Sequence, residues 1–226
     1  LFIPSPGLHM VGADLSGIEL RMLAHYLARY DGGRYAKLLL EDDIHQINAD
    51  KIGISRRQVK TVTYAFLYGA GDEKIGHSFD PQLSTAQAKK KGKEIRGAYV
   101  DAVTGLGDLL DAVKKAAERG FIKSIDGRTI KVDSPHKALN YLLQSGAGVI
   151  AKRWMVINQE TMREAKICAS QLGFIHDELQ FECAPEHIGD LSTSLVYSAT
   201  AAGEYYNMRI RIDAEATHGN NWSETH

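Results

Sequence analysis

Cysteine is nearly absent: Cys168 and Cys183 are the two in 226 residues. No CxxC pair and no histidine cluster at zinc spacing accompanies them, which excludes a disulfide framework and a structural zinc and leaves two reduced thiols. Long hydrophobic runs are missing as well. No apolar stretch approaches the roughly 18 residues of a membrane helix, and no charged-then-apolar leader precedes a cleavage site, so the expectation is a cytoplasmic protein without a membrane partner. Neither an internal repeat nor a low-complexity segment is present. An excess of charge of one sign is lacking too: 27 Lys and Arg stand against 28 Asp and Glu, net −1, which by itself argues against a nucleic-acid binder.

The charges that are present are unevenly spread. Residues 1–50 carry 4 basic and 7 acidic groups, 51–131 carry 16 and 9, and 132–226 carry 7 and 12. A basic middle between acidic ends is either a set of solvated helix faces or a polyanion-binding lobe on a metal-binding base. With 44% hydrophobic residues, the chain has enough apolar surface for the core of one or two domains.

Val11-Gly12-Ala13-Asp14-Leu15 has the pattern of a short strand, after which Ser16 is placed to cap a helix through Ile18, Leu20, Leu23 and Leu27. Gly32-Gly33 breaks it. Helical patterns follow at about 35–40, from an Asp42 or Asp43 cap to Gly53, from Ser55 over about 56–68 to a Gly69-Ala70-Gly71 stop, and at about 84–99 and 104–118. From Gly120 the period changes, and 121–125 with 128–132 around Asp126-Gly127 form a hairpin pattern. A helix over about 135–163, strands over 171–175 and 179–183, a helix over about 185–205 and a last strand over 208–215 complete the chain. The expected fold is α+β, an antiparallel sheet with flanking helices interrupted by a helical insertion.

Two constellations carry chemistry. In "GFIHDELQFEC", Asp177 and Glu178 sit where the chain turns, either as an ordinary hairpin tip or as half of a metal site. Asp14 also ends a strand pattern. If those strands pair, Asp14 and Asp177 can hold two divalent hard cations, Mg²⁺ above all, for in-line phosphoryl transfer. In "SRRQVKTVTYAFLYG", Arg56, Lys60, Tyr64 and Tyr68 recur every four residues and form a slowly winding stripe. Two cations followed by two rings suit a triphosphate with its base or sugar. Val59, Val62, Ala65 and Phe66 supply an apolar face on another side.

"DLSGIELRMLAHYLARYDGG", "DIHQIN", "RRQVKTVTYAFLYGAGDEKIG", "DGRTIKVDSPHKALNYLLQSGAG" and "IHDELQFEC", in this order and followed by "NNW…H", together resemble the polymerase domain of family A DNA polymerases, especially the replicative polymerases of short-tailed bacteriophages. The resemblance implies a palm over 1–27, helical fingers over 28–120 and the rest of the palm over 121–226. It implies two Mg²⁺ ions on Asp14 and Asp177, with the Leu15 carbonyl as a further ligand and Glu178 as a nearby carboxylate. For the incoming dNTP it implies Arg56, Lys60 and His45 at the phosphates, Tyr64 on the sugar and base, Ser16 close by, and Glu19 with Tyr64 as a steric gate against a ribose 2′-hydroxyl. Tyr at position 64 looks like the phage subtype. For primer–template DNA it implies Tyr68 on the template side and Asn140 and Gln144 on minor-groove acceptors, which all correct pairs share, with Arg128 and His176 at the primer strand.

The sequence also departs from the family pattern. The family's thumb and first palm strands, and the exonuclease of its phage members, have no counterpart among these residues. The expectation is therefore a fragment, or a split subunit completed by a second chain with thumb and exonuclease; a thioredoxin-like processivity factor would bind through the missing parts. The expected function is template-directed addition of deoxyribonucleotides to a primer 3′-hydroxyl. The alternatives are a non-catalytic DNA-binding or assembly subunit and a metal-dependent nuclease, the latter leaving the 56–68 helix without a role.

Overall fold

The computed structural model describes residues 2–226. In chain order the first elements are β1 (His9–Leu15), α1 (Ile18–Asp31), α2 (Arg34–Glu41), α3 (Ile44–Ile52), α4 (Arg56–Leu67), α5 (Asp72–Phe79), α6 (Thr85–Ala102) and α7 (Leu106–Ala117). The hairpin β2 (Phe121–Lys123) and β3 (Thr129–Lys131) follows, then α8 (Ala138–Glu164), β4 (Ala169–Ile175), β5 (Glu178–Cys183), α9 (Ile188–Tyr205) and β6 (Ala214–Gly219). The α+β class with its helical interruption is as expected. The chain divides into two compact units, one made of the residues up to Arg21 with Gly146–His226, the other of Met22–Ser145.

The discontinuous unit is built on an antiparallel sheet of order β4-β5-β1-β6. Residues directly opposed in such a ladder share a face. Val11 and Ala13 lie opposite Phe181 and Leu179, and all four are buried. Helix α9 packs on β1 and β6 and contributes Leu191, Leu195, Ala199 and Ala202 to the core at helical spacing. Trp154 of α8 is fully buried and donates its indole N–H to the Leu195 carbonyl at 2.8 Å, while the Ser194 hydroxyl donates to Asn158 Oδ1 at 2.8 Å. Both helices are thereby tied through satisfied polar atoms. The opposite set, Met10, Gly12 and Asp14 facing Glu182, Gln180 and Glu178, carries the polar groups.

Two expectations change in this unit. Helix α1 starts at Ile18 after a turn in which Gly17 has φ 55°, so Gly17, and not Ser16, precedes the first helical residue; the tight exit from β1 needs the extra residue in a left-handed conformation. The last strand lies at Ala214–Gly219 and not at 208–215. Ile210 and Ile212 do alternate and are buried, but their partner is a helix: the Thr200 hydroxyl of α9 donates to the Ile212 carbonyl at 3.1 Å, and a Cβ on Gly203 would collide with Ile212. A period of two records a buried side, whatever covers it.

The inserted unit is helical apart from its hairpin, whose strands end earlier than expected: Ser124 to Arg128 form the loop, Gly127 N–H donates to the Ser124 carbonyl at 3.0 Å, and Gly127 takes φ 81° as the left-handed residue of a longer hairpin loop. Helix α3 is capped by Asp43, which accepts from the backbone N–H groups of His45 and Gln46 at 3.1 Å. Capping boxes of Ser55 with Gln58 and Ser84 with Gln87 open α4 and α6. Helix α4 buries Val59, Val62, Thr63, Phe66 and Leu67, and Val62 joins Ala70, Ile75 and Ile95 in a core cluster lined by Ala65 and Phe79. Helix α5 is an addition to the expected elements: Gly76 in its middle lowers its intrinsic propensity. Tertiary packing supplies what propensity lacks. A Cβ on Gly92 would overlap the Asp72 carbonyl and one on Gly76 the Ala88 carbonyl, so α5 and α6 meet backbone to backbone. Arg96 closes the pair through Asp72 Oδ1 at 2.6 Å and the Ala70 carbonyl. Gly92→Ala is therefore expected to lower the unfolding free energy by about 3 kcal/mol, the upper range for overpacking, measured by urea denaturation. An unchanged midpoint would show that the helices do not approach this closely.

Candidate active site

Asp14 is the penultimate residue of β1, opposite Glu178 of β5 and Glu215 of β6. Across the β4–β5 ladder Ile175 pairs with Glu178, which leaves His176 and Asp177 as a two-residue turn. The Leu15 N–H donates to the Asp177 carbonyl at 3.2 Å. Backbone pairing alone thus delivers Asp14 and Asp177 to the same end of neighbouring strands. Burial pushes the Asp14 carboxyl up to about 6; the charges of Asp177, Glu178 and Glu19 act in the same direction and His226 opposes them. The Asp177 carboxyl is raised too, by burial first and then by Glu19. Among the described residues no group of three or more His, Cys, Asp or Glu side chains is arranged to hold a metal ion. The donor set still fits Mg²⁺, which takes one or two carboxylates and completes its shell with water and phosphate oxygens: two crowded carboxylates gain from any cation that neutralises them.

Glu178 differs from both. It is 3% exposed, and its Oε1 accepts from the Gln180 side-chain amide and from Trp222 Nε1, the latter at 2.7 Å. Its Oε2 lies 2.7 Å from His226 Nδ1. Gln180, also buried, accepts at Oε1 from the Thr225 hydroxyl at 2.9 Å. Gln180, Trp222, Thr225 and Glu215 were missed in the sequence. The available signal was the alternation of Glu178, Gln180 and Glu182 with Leu179, Phe181 and Cys183 along β5, which marks a polar face with more than solvent to satisfy. Ser16 is held by its backbone, donating to the Asp213 carbonyl at 3.0 Å and accepting from Arg21 Nε at 2.5 Å.

In the inserted unit, Arg56, Lys60 and Tyr68 of the α4 stripe are exposed and Tyr64 is half-buried. Arg56 Nε binds Asp43 Oδ2 at 2.6 Å and holds that carboxyl below its usual range. His45 is buried and its Nδ1 lacks a hydrogen-bond partner. Its ring centroid lies 6.2 Å from that of Tyr64. Burial, then the charges of Arg56 and Lys60, push the His45 pKa down, so the ring is neutral. Asn140 donates Nδ2–H to the Leu67 carbonyl at 3.0 Å and thereby ties α8 to the end of α4, while Gln144, one turn on, is exposed. Arg128 Nε pairs with Asp126 Oδ2 at 2.6 Å in the hairpin turn. The structure therefore groups Asp14, Leu15, Ser16, Glu19, His176, Asp177 and Glu178 in one unit and His45, Arg56, Lys60, Tyr64, Tyr68, Arg128, Asn140 and Gln144 in the other.

Residues 1–224 match the sequence profile of DNA polymerase family A. The chain belongs to that family. This family A chain is 36% identical to the DNA-directed DNA polymerase of Enterobacteria phage T3 and 34% identical to that of Escherichia phage T7, in each case over 95% of its own length. It spans about a third of those relatives, 33% of each. It also resembles the POL domain of Pol1 from M. smegmatis, solved in complex with DNA primer-template and dNTP, with a TM-score of 0.82 over 99% of this chain and 42% of that one. Identity there is 24%, so that likeness is one of fold. Among the described residues no helix is long and apolar enough to cross a membrane.

The Asp14 shift has a definite sign for the family A chain. A carboxyl raised from 3.8 to about 6 on folding binds more protons in the folded than in the unfolded state between those values, so stability present at low pH is lost as pH rises through about 6. Asp14→Asn should match the wild type in thermal melts at about pH 3, below the unfolded value of 3.8, and exceed it at about pH 7.5 by about 1 kcal/mol, a gain limited by solvent screening of an exposed group. A variant no more stable than wild type at pH 7.5 would refute the assignment.

Proposed function

We propose that this chain is the palm and fingers of a phage-type DNA-directed DNA polymerase, which adds deoxyribonucleotides to a primer 3′-hydroxyl under template direction by two-metal-ion nucleotidyl transfer. The observation that carries this reading is the strand register that sets Asp14 opposite Glu178, with Asp177 in the adjoining turn, in a chain of DNA polymerase family A. The phage T3 and T7 relatives support the subtype. The proposed palm is residues 1–27 with 121–226, and the proposed fingers are residues 28–120.

Asp14, Asp177 and the Leu15 carbonyl would hold two Mg²⁺ ions, which when bound lower the cost of ionising the primer hydroxyl and of the charge developing on the phosphates. The chain's own groups do the rest. Arg56 and Lys60, one turn apart, bind the triphosphate, Arg56 exchanging Asp43 for a phosphate oxygen, and offset charge that grows in the transition state. His45 lies beside these cations on the phosphate side of the site. Tyr64 packs on the sugar and base, Glu19 and Tyr64 are assigned the selection against a ribose 2′-hydroxyl, and Ser16 is assigned to the nucleotide. Tyr68 faces the template, Asn140 and Gln144 test minor-groove acceptors, and Arg128 and His176 contact the primer strand. Pyrophosphate is released.

Primer extension tests this directly, assayed with and without a second chain supplying thumb and exonuclease, since the phage relatives are three times as long. Asp14→Asn and Asp177→Asn should each reduce extension by about 10³-fold or more, with circular dichroism unchanged, whereas Arg56→Ala should mainly raise the KM for dNTP, by about tenfold. Extension at the wild-type rate by both aspartate variants would falsify the assignment. Primer shortening would point to a nuclease, and DNA binding without turnover to an assembly subunit.

A further inference from the structure

The turn carrying Asp177 adopts an unusual backbone. His176 has φ 58° without being glycine, in a two-residue hairpin turn where such a conformation normally falls to Gly, Asn or Asp. A left-handed non-glycine residue costs about 1 kcal/mol or more and persists only where its surroundings over-determine it. Two constraints are in place. The Asp177 carbonyl accepts from Leu15 N–H at 3.2 Å, and the next residue, Glu178, is buried with its two oxygens engaged by Gln180, Trp222 and His226. A buried carboxylate with three partners cannot rotate outward without leaving several polar groups unsatisfied, so the turn cannot relax while that cage is intact.

The cage is built by the segment 222–226. The Trp222 backbone N–H donates to the Phe2 carbonyl at 3.1 Å and its ring meets Phe2 edge-on at 5.2 Å. Thr225 is buried, with its hydroxyl on Gln180 Oε1 and its carbonyl accepting from Gln180 Nε2 at 3.3 Å. Gly12 of β1 makes room: a Cβ there would collide with the Gln180 amide and the Thr225 carbonyl. Gly12 thus admits the Gln180–Thr225 contact, while Gln180, Trp222 and His226 converge on one carboxylate that is adjacent in sequence to Asp177 and opposite Asp14.

We propose that the 222–226 segment, through Trp222 and Gln180, is a positioning brace: it locks Glu178, and Glu178 in turn keeps the strained His176–Asp177 turn in the conformation that presents the Asp177 carboxylate to a divalent cation. Trp222 and Gln180 are positioning residues that act through Glu178, and Glu178 is the anchor of the turn. The inference rests on the metal-site reading of Asp14 and Asp177, and the test separates the two.

Mn²⁺ alone is titrated into the 226-residue chain and free Mn²⁺ is followed by its paramagnetic resonance signal. Trp222→Phe keeps the ring against Phe2 but removes the indole N–H; it should weaken Mn²⁺ binding by about tenfold, as loss of outer-sphere partners does. Adding His176→Gly should restore the affinity, because glycine holds a positive φ without help; a segment that merely stabilised the fold would show no such rescue. If Trp222→Phe proves too unstable, Gln180→Met removes the other donor and carries the same expectation. Wild-type affinity in Trp222→Phe and Gln180→Met, alongside loss of binding in Asp177→Asn, overturns the brace and leaves the metal site standing. Unchanged binding in Asp177→Asn overturns both.

Discussion

The antiparallel ladder between β1 and β5 is the constraint on which the site depends. Side chains alternate along a strand, so a slip of one residue would turn Asp14 to the other face of the sheet and bring Ala13 or Leu15 to its place. Two features pin the register. Val11 opposite Phe181 and Ala13 opposite Leu179 form a buried apolar pair of rungs, and Gly12 opposite Gln180 is the rung whose missing side chain admits the buried amide and the Thr225 carbonyl. Packing on one face and a required absence of packing on the other select the same alignment. The carboxylates are placed by backbone geometry before any of their own interactions count.

Those interactions are adverse. Asp14 and Asp177 are both raised in pKa by burial and by carboxylates around them, so in the absence of a cation their ionised forms oppose folding near neutral pH. A chain selected for stability alone would replace them. Groups that destabilise the fold yet sit where a well-pinned ladder delivers them are what a stability–function trade-off produces. Glu178 shows the contrast on the same face: hydrogen-bonded on both oxygens, it is integrated into the fold, whereas Asp14 remains exposed at the strand end.

Much of this was legible in the sequence because local chemistry and tertiary demand agreed. The Asp43 and Ser55 helix starts and the glycine at position 127 rest on interactions within a few residues, and short-range patterns report them. The failures share the opposite property. Helix α5 exists because Gly76 and Gly92 let two backbones touch, and neither glycine announces its partner, Ala88 or Asp72, on the other helix. The Ile210–Ile212 alternation was assigned to a ladder because a period of two does not say whether a strand or a helix covers the buried side. The Glu178 cage depends on contacts spanning more than 40 residues, and strand alternation marks the polar face of β5 without naming those partners. The Asp14 and Asp177 pair was legible as two strand-end carboxylates; their adjacency came from the register.

Net charge was the least informative summary, for a physical reason. The value of −1 averages two units of opposite sign: residues of the inserted unit supply 20 basic and 15 acidic groups, and those of the discontinuous unit 7 and 13. Fields in salt solution extend about 8–10 Å, so a ligand approaching either unit meets the charge of that unit and not the mean of the chain. Under the proposed function the two must attract different things, a divalent cation and a polyanionic triphosphate, and no single sign of charge can concentrate both. Segregating the signs along the sequence lets each ligand be drawn to its own side chains, and the price is a composition that looks neutral and therefore says nothing about either.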